Sequence, residues 1–242
     1  MPTSTPRAAE PRPEPASGDA SGRDRGRTGL QGLVVDWGGV LTEPLDDLTA
    51  AWAGAAGFDV EHFRGVMREW LGPDVGLEAR FNPIHALERG EIALPDFEQH
   101  LADELGRRSG VPVVPDGLLG RMFELFEHAP DMNALVRRAR QAGLRTALLS
   151  NSWGNDYPRD GWDEMFDVVV ISGEVGMRKP EPRIFHHTLS LLGLPAGACV
   201  FVDDLPHNVS AAVGLGLVGV RHTDYATTAA ELEALFDLPL AG

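Results

Sequence analysis

The chain has 242 residues, 43% of them hydrophobic, enough apolar material for one large domain or a core with a smaller companion. Its formal net charge of −15 argues against nucleic acid and anionic membrane surfaces as partners, since both demand clustered Lys and Arg. Its one cysteine, Cys199, cannot form an internal disulfide, so the fold does not depend on an oxidising compartment.

Residues 1–29 mix Pro, Gly, Arg, Glu and Ala, with no large apolar residue between Pro2 and Gly29. They read as a disordered tail. They hold no continuous apolar stretch of the secretory type, and no later run is long enough to span a bilayer. The cytoplasm is therefore the expected location. The run Gly32-Leu33-Val34-Val35-Asp36, followed by Gly38-Gly39, reads as a buried strand that ends in a carboxylate and feeds a turn.

From Leu45 to about His128 the pattern is helical. The expected helices are 45–56, 60–71, 83–89, 95–107 and 116–128, with breaks at Gly57, Gly72, Gly90 and Gly110. Apolar residues recur at spacings of three and four. Phe63, Val66, Met67, Trp70 and Leu71 form one stripe, and Leu118, Leu119, Met122, Phe123 and Phe126 another, as core-facing helices require.

From Pro130 short apolar strands alternate with helices: helix 131–142, strand 144–149, a loop with a short helix, strand 167–171, helix 181–192, strand 198–203, helix 206–214, strand 217–221 and helix 227–236. Cys199 lies in one of these strands and reads as a small buried residue, not a nucleophile. The alternation argues an α/β fold: a parallel sheet covered on both faces, with a helical insertion after the first strand.

Ligands of such sheets sit beyond the carboxyl ends of the strands. Here the first strand ends at Asp36, the second at Ser150-Asn151 and the fourth at Asp203-Asp204. Lys179, in the turn before helix 181–192, can reach the same edge. Each group alone is ordinary turn or cap chemistry. Together they place several carboxylates and an ammonium at one edge.

Four segments, in order, resemble the haloacid dehalogenase superfamily, in the branch with a helical cap inserted after the first motif. They are Leu33-Val34-Val35-Asp36-Trp37-Gly38-Gly39-Val40-Leu41-Thr42, Leu148-Leu149-Ser150-Asn151, Arg178-Lys179-Pro180-Glu181-Pro182-Arg183-Ile184-Phe185, and Val200-Phe201-Val202-Asp203-Asp204 with Asn208. The resemblance spans roughly residues 30–236. It implies a Rossmann-like core (30–44 and 130–238) with strands in the order 5-4-1-2-3, and a cap over 45–129 whose closure excludes water.

The resemblance also implies a Mg2+-dependent hydrolase of a small phosphorylated molecule, a sugar phosphate being one candidate. Asp36 is the implied nucleophile, forming an aspartyl-phosphate that water then hydrolyses. Mg2+ falls to Asp36, Asp204 and the backbone carbonyl of Gly38, with Asp203 binding directly or through water. Lys179 stabilises the transferring phosphoryl group, and Ser150 with the backbone around Asn151 binds its oxygens. Asn208 ties the metal loop together. A cation and a lysine are what an anionic nucleophile needs against an anionic ester.

The sequence departs from the family at Gly38, where most phosphatases of the superfamily carry a second Asp as general acid and base. Such a group is worth about 10²–10⁴-fold in rate. Three explanations stand: a substitute acid, for which His85 and Glu88 in the cap are candidates, or a metal-bound water; a leaving group that needs little protonation; or a slow enzyme. Dehalogenation is the chemical alternative, but it gives no reason to keep Asp203 and Asp204. A binding module that retains the fold with little turnover is the alternative from another class. Trp37 and Trp153 follow motif residues and either line the pocket or pack under the cap. His186 and His187 are adjacent on a helix and cannot share a face. His207 reads as a helix-start residue.

Overall fold

The computed structural model describes residues 29–43, 45–70, 82–154 and 157–242. Residues 1–28 of the expected tail, and Leu71 of the first apolar stripe, lie outside the described residues. Among the described residues, no helix is long and apolar enough to cross a membrane.

Five strands form one parallel sheet: β1 (Gly32–Val35), β2 (Arg145–Ser150), β3 (Val168–Ile171), β4 (Cys199–Asp203) and β5 (Val218–Arg221). Their order is β3-β2-β1-β4-β5, the expected order read from the opposite edge. β1 is buried at every position, as a central strand covered on both faces must be. Successive side chains alternate between faces. Leu33 and Val35 pack with Met132, Leu135, Leu232 and Phe236, from α6 (Pro130–Gln141) and α10 (Tyr225–Phe236). Val34 packs on the other face with Ile184, Phe185 and Ala212, from α8 (Pro182–Leu192) and α9 (Pro206–Gly214). Helices α6, α8 and α9 start with Pro in the first turn, where the lost N–H has no helical partner anyway. Cys199 is fully buried, and burial pushes its thiol up to about 11, which suits packing and not nucleophilic chemistry.

Between β1 and β2 lie α1 (Leu45–Ala56), α2 (Val60–Trp70), α3 (Pro83–Glu88), α4 (Leu94–Ser109) and α5 (Leu118–Phe123). They bury a core of their own around Trp52, Phe63, Val66, Phe97, Leu101 and Leu119. Trp52 Nε1 donates to Leu118 O at 2.8 Å, and the Glu98 carboxylate accepts Leu119 N at 2.8 Å, so α5 is anchored at its start.

The helix expected over 116–128 is only Leu118–Phe123. The chain beyond it runs back beside the exit from β1: Thr42 bridges His128, Glu43 N donates to Glu127 O (2.9 Å), and Ala129 N donates to Leu41 O (2.9 Å). Helical winding continued to residue 128 would turn this backbone away from residues 41–43, so the longer helix and these bonds exclude each other. The two crossings between sheet and insertion therefore run side by side. A short helix not expected from the sequence, α7 (Ser172–Val175), follows β3 directly.

Candidate active site

The carboxyl ends of β1, β2 and β4 converge at one edge. Asp36 N donates to Val202 O at 2.9 Å, so pairing with β4 continues one residue past β1 and carries the Asp36 carboxylate to that edge. The following turn is tight. The N–H groups of Leu41 and Thr42 reach Trp37 O at 2.9 and 3.2 Å, and Gly39 N donates to Thr42 Oγ1 at 2.9 Å. Gly39 has φ +69°, and a Cβ there would lie 2.8 Å from Asp204 Oδ2. Glycine thus lets the first turn press against the carboxylate that follows β4.

Lys179 Nζ joins the two ends. It lies 2.7 Å from Asp36 Oδ1 and 2.6 Å from Asp203 Oδ2, and the side chain is 1% exposed. Burial alone would lower its pKa, but Asp203 and Asp36 outweigh that and raise it, so the ammonium stays charged. Asn151 orients this lysine: its Oδ1 accepts Lys179 N at 2.8 Å and its Nδ2 donates to Lys179 O at 3.1 Å. Asp203 is fixed by Leu205 N (2.9 Å) and by Asn208 Nδ2, which reaches both its oxygens at 3.1 and 3.2 Å.

One oxygen each of Asp36, Asp203 and Asp204 lie within 4.8 Å of one another. Three carboxylates face one ammonium, and the buried Asn208 Oδ1 has no partner. Burial, with repulsion from Asp203 and Asp204 against attraction from Lys179, pushes Asp36 up to about 8. Burial and the Asp203 charge push Asp204 up to about 6. A surplus of hard oxygen acceptors with too little positive charge is the donor set a Mg2+ ion requires, so the residues fit that cation.

Replacing Lys179 by Met leaves Asp36 and Asp203 buried without their common partner. Breaking a buried pair in this way costs about 3–5 kcal/mol. Thermal unfolding of Lys179→Met is expected to show a clear drop in Tm. An unchanged Tm would mean that the ion pair does not hold these ends together.

Asp36, Lys179, Ser150, Asn151 and Asp204, together with Gly38, line one cavity of about 240 Å³. Asp203 lies beneath it, fully buried against Lys179. Ser150 Oγ is 2.9 Å from the hydroxyl of Tyr157, a cavity residue that no motif marks. Burial pushes the Tyr157 phenol up to about 12. Trp37, Trp153, Met122, Phe123 and Phe126 also line the cavity, so the strand edge is roofed by α5 and the segment after it.

Glu88, at the end of α3, reaches the same cavity, but its carboxylate is held by Arg178 Nε, Asn151 Nδ2 (3.2 Å) and Trp153 Nε1 (3.4 Å). Burial outweighs these partners and raises its pKa. Glu88 therefore fastens the insertion to the Lys179 turn. His85 is buried on α3 and is not among the cavity residues. His186 is exposed and His187 half-buried on α8, and His207 is exposed at the start of α9.

The sequence profile of the haloacid dehalogenase-like hydrolases matches residues 30–216. The chain is 30% identical over 230 residues to acyl-CoA dehydrogenase family member 10 of Mus musculus, covering 89% of this chain but 20% of that protein. It is 29% identical over 171 residues to the sesquiterpene phosphatase astK of Aspergillus oryzae, covering 67% of this chain and 83% of that enzyme. A haloacid dehalogenase-family enzyme of Bacteroides thetaiotaomicron, crystallised with magnesium and inorganic phosphate, superposes with a TM-score of 0.58 at 21% identity, over 80% of this chain and 94% of the other. With the profile spanning both halves of the sheet edge just described, the chain belongs to the haloacid dehalogenase-like hydrolases.

Proposed function

We propose that the protein is a Mg2+-dependent phosphomonoesterase that works on a small phosphorylated molecule through a phosphorylated Asp36. The observation that carries this is the Asp36–Lys179–Asp203 arrangement with Asp204 alongside: a reactive carboxylate, a buried ammonium and spare acidic ligands at one strand edge. Phosphatases among the relatives, and the magnesium and phosphate bound by the Bacteroides enzyme, support the same reading.

Both contacts of the Asp36 carboxylate, to Trp37 N and to Lys179, fall on Oδ1, which leaves Oδ2 to attack phosphorus. Bound Mg2+, held by Asp36, Asp204 and the Gly38 carbonyl with Asp203 behind them, would offset repulsion between Asp36 and the phosphoryl oxygens. Lys179 steadies the charge that shifts onto those oxygens. The Ser150 hydroxyl, itself oriented by Tyr157, donates to one of them. Asn151 acts by holding Lys179 in place.

Phosphate release from a panel of phosphomonoesters, with and without Mg2+, tests the proposal. Metal binding with no turnover of any ester would favour a binding module instead. Dehalogenation is disfavoured, because Asp203 and Asp204 would repel the carboxylate of a haloacid.

Protons and Mg2+ compete for Asp36 and Asp204. Both groups bind protons more tightly than ordinary carboxylates when no metal is present. Metal must therefore displace protons below about pH 8, and its apparent affinity is expected to rise from pH 6 to pH 8 and then level off. Titration calorimetry in two buffers of different ionisation enthalpy should show proton release. An affinity flat across this range would contradict Mg2+ binding at these carboxylates.

A further inference from the structure

We infer that the ester accepted here carries an apolar, uncharged alcohol of aryl or short branched-alkyl size, not a sugar. This rests on the phosphatase reading and specifies its substrate.

The cavity has two unlike sides. Its strand-edge side supplies Asp36, Asp204, Lys179 and Ser150. The rest of the lining is largely apolar: Met122, Phe123 and Phe126 from α5 and the segment after it, with Trp37, Trp153 and Leu205 from the turns after β1, β2 and β4. Three of the rings are contiguous: Phe126 lies 5.6 Å from Trp37 and 5.4 Å, edge-on, from Phe123. Three polar groups on or near this wall already have partners. Trp153 Nε1 donates to Glu88, Glu88 is held by Arg178, and the Tyr157 hydroxyl pairs with Ser150. The several hydroxyls of a sugar placed against such a wall would lose water while finding few free partners, which costs affinity for each one left unpaired. Apolar carbon gains by the same burial.

Among the described residues lining the cavity Lys179 is the only cationic one, and Asp36 and Asp203 already share it. A carboxylate or second phosphate on the alcohol would therefore meet no free positive charge. The volume, about 240 Å³, is roughly eight times the ~30 Å³ share of a water molecule, enough for a phosphoryl group and an alcohol about one ring in size. The reaction is hydrolysis. The bond from phosphorus to the alcohol oxygen breaks as Asp36 bonds to phosphorus. Water then takes the phosphoryl group, and one water proton ends on the alcohol. The net change is ester plus water to alcohol plus inorganic phosphate.

The test separates the substrate class from the reaction. Acetyl phosphate has a leaving group too small to span the wall, so its Asp36- and Mg2+-dependent hydrolysis reports the reaction alone. Benzyl phosphate, isoamyl phosphate and glucose-6-phosphate all release primary alcohols, so their relative kcat/KM reports the wall. The two apolar esters are expected to be favoured by about tenfold or more. Phe123→Gln should shrink that ratio several-fold. The Mg2+-loaded wild-type protein should bind benzylphosphonate about tenfold more tightly than methylphosphonate by calorimetry, a readout independent of turnover.

Acetyl phosphate hydrolysis with glucose-6-phosphate equal or preferred would overturn the apolar assignment and leave the phosphatase reading intact. A benzylphosphonate preference without turnover of any ester would uphold the apolar site and sink the catalytic reading. Loss of both would overturn both.

Discussion

Asp36→Asn is expected to lower phosphomonoester turnover by at least about 10⁴-fold, the scale on which enzymes fail when the attacking atom is removed. The amide keeps the shape of the side chain but is not a nucleophile. The loss will not reflect unfolding. The pKa of Asp36 in the folded metal-free protein lies near 8, above its ordinary 3.8, so its charge is better tolerated in the unfolded chain. For an acid shifted in that direction, stability is highest at low pH and declines as pH rises towards the folded value. An uncharged Asn escapes this decline, while Lys179 keeps its contact with Asp203. The metal-free variant should therefore melt at or above the wild-type temperature at pH 8. The paired measurements are a kcat/KM determination and a melting curve. Wild-type turnover in the variant would remove Asp36 from the mechanism; lost turnover with a collapsed Tm would show that the carboxylate is needed for folding.

Gly38→Asp is expected to raise kcat on esters of ordinary alcohols by about 10²-fold, the lower end of what a positioned general acid supplies. Gly38 lines the cavity, and a Cβ built there meets nothing within 4 Å. Its backbone is outside the left-handed region, so a side chain introduces no strain there. The new carboxyl can protonate the leaving oxygen and later take a proton from water, neither of which the Gly38 backbone can do. The gain should be large for benzyl phosphate and small for acetyl phosphate, whose leaving group needs little protonation. An equal gain on both would point to better metal or substrate binding. No gain would show that Tyr157, Glu88 or water already performs the proton transfer.

How far the site was legible in the sequence differs from residue to residue. Asp36, Ser150 and Asp203 were readable because each ends or directly follows an apolar run. In a parallel sheet such runs terminate at one edge, where polar residues have few structural uses. Lys179 was readable only jointly with them, since a lysine before a proline is unremarkable alone. Tyr157 was not readable. It lies seven residues beyond Ser150 in a stretch of sequence with no periodicity, and only the tertiary structure brings its hydroxyl to Ser150. Glu88 could be named as lying on the helix at 83–89, but its tie to Arg178 crosses ninety positions of chain. The overlong helix at 116–128 failed for the converse reason: Phe126 keeps the helical spacing of its stripe, while the backbone around it pairs with residues 41–43.

Local sequence by itself determined the strands, most of the helices, the order of the sheet through its family resemblance, and the chemical types of the groups at its edge. The strands, helices and edge groups follow from burial and periodicity, which act over a few residues at a time, whereas the sheet order was only what the family resemblance implied. Only the tertiary structure decided that one ammonium sits between two carboxylates, that the space at Gly38 is open, and that the wall opposite is aromatic. These depend on distances between segments far apart in the chain, and such distances arise only when the insertion is laid over the sheet.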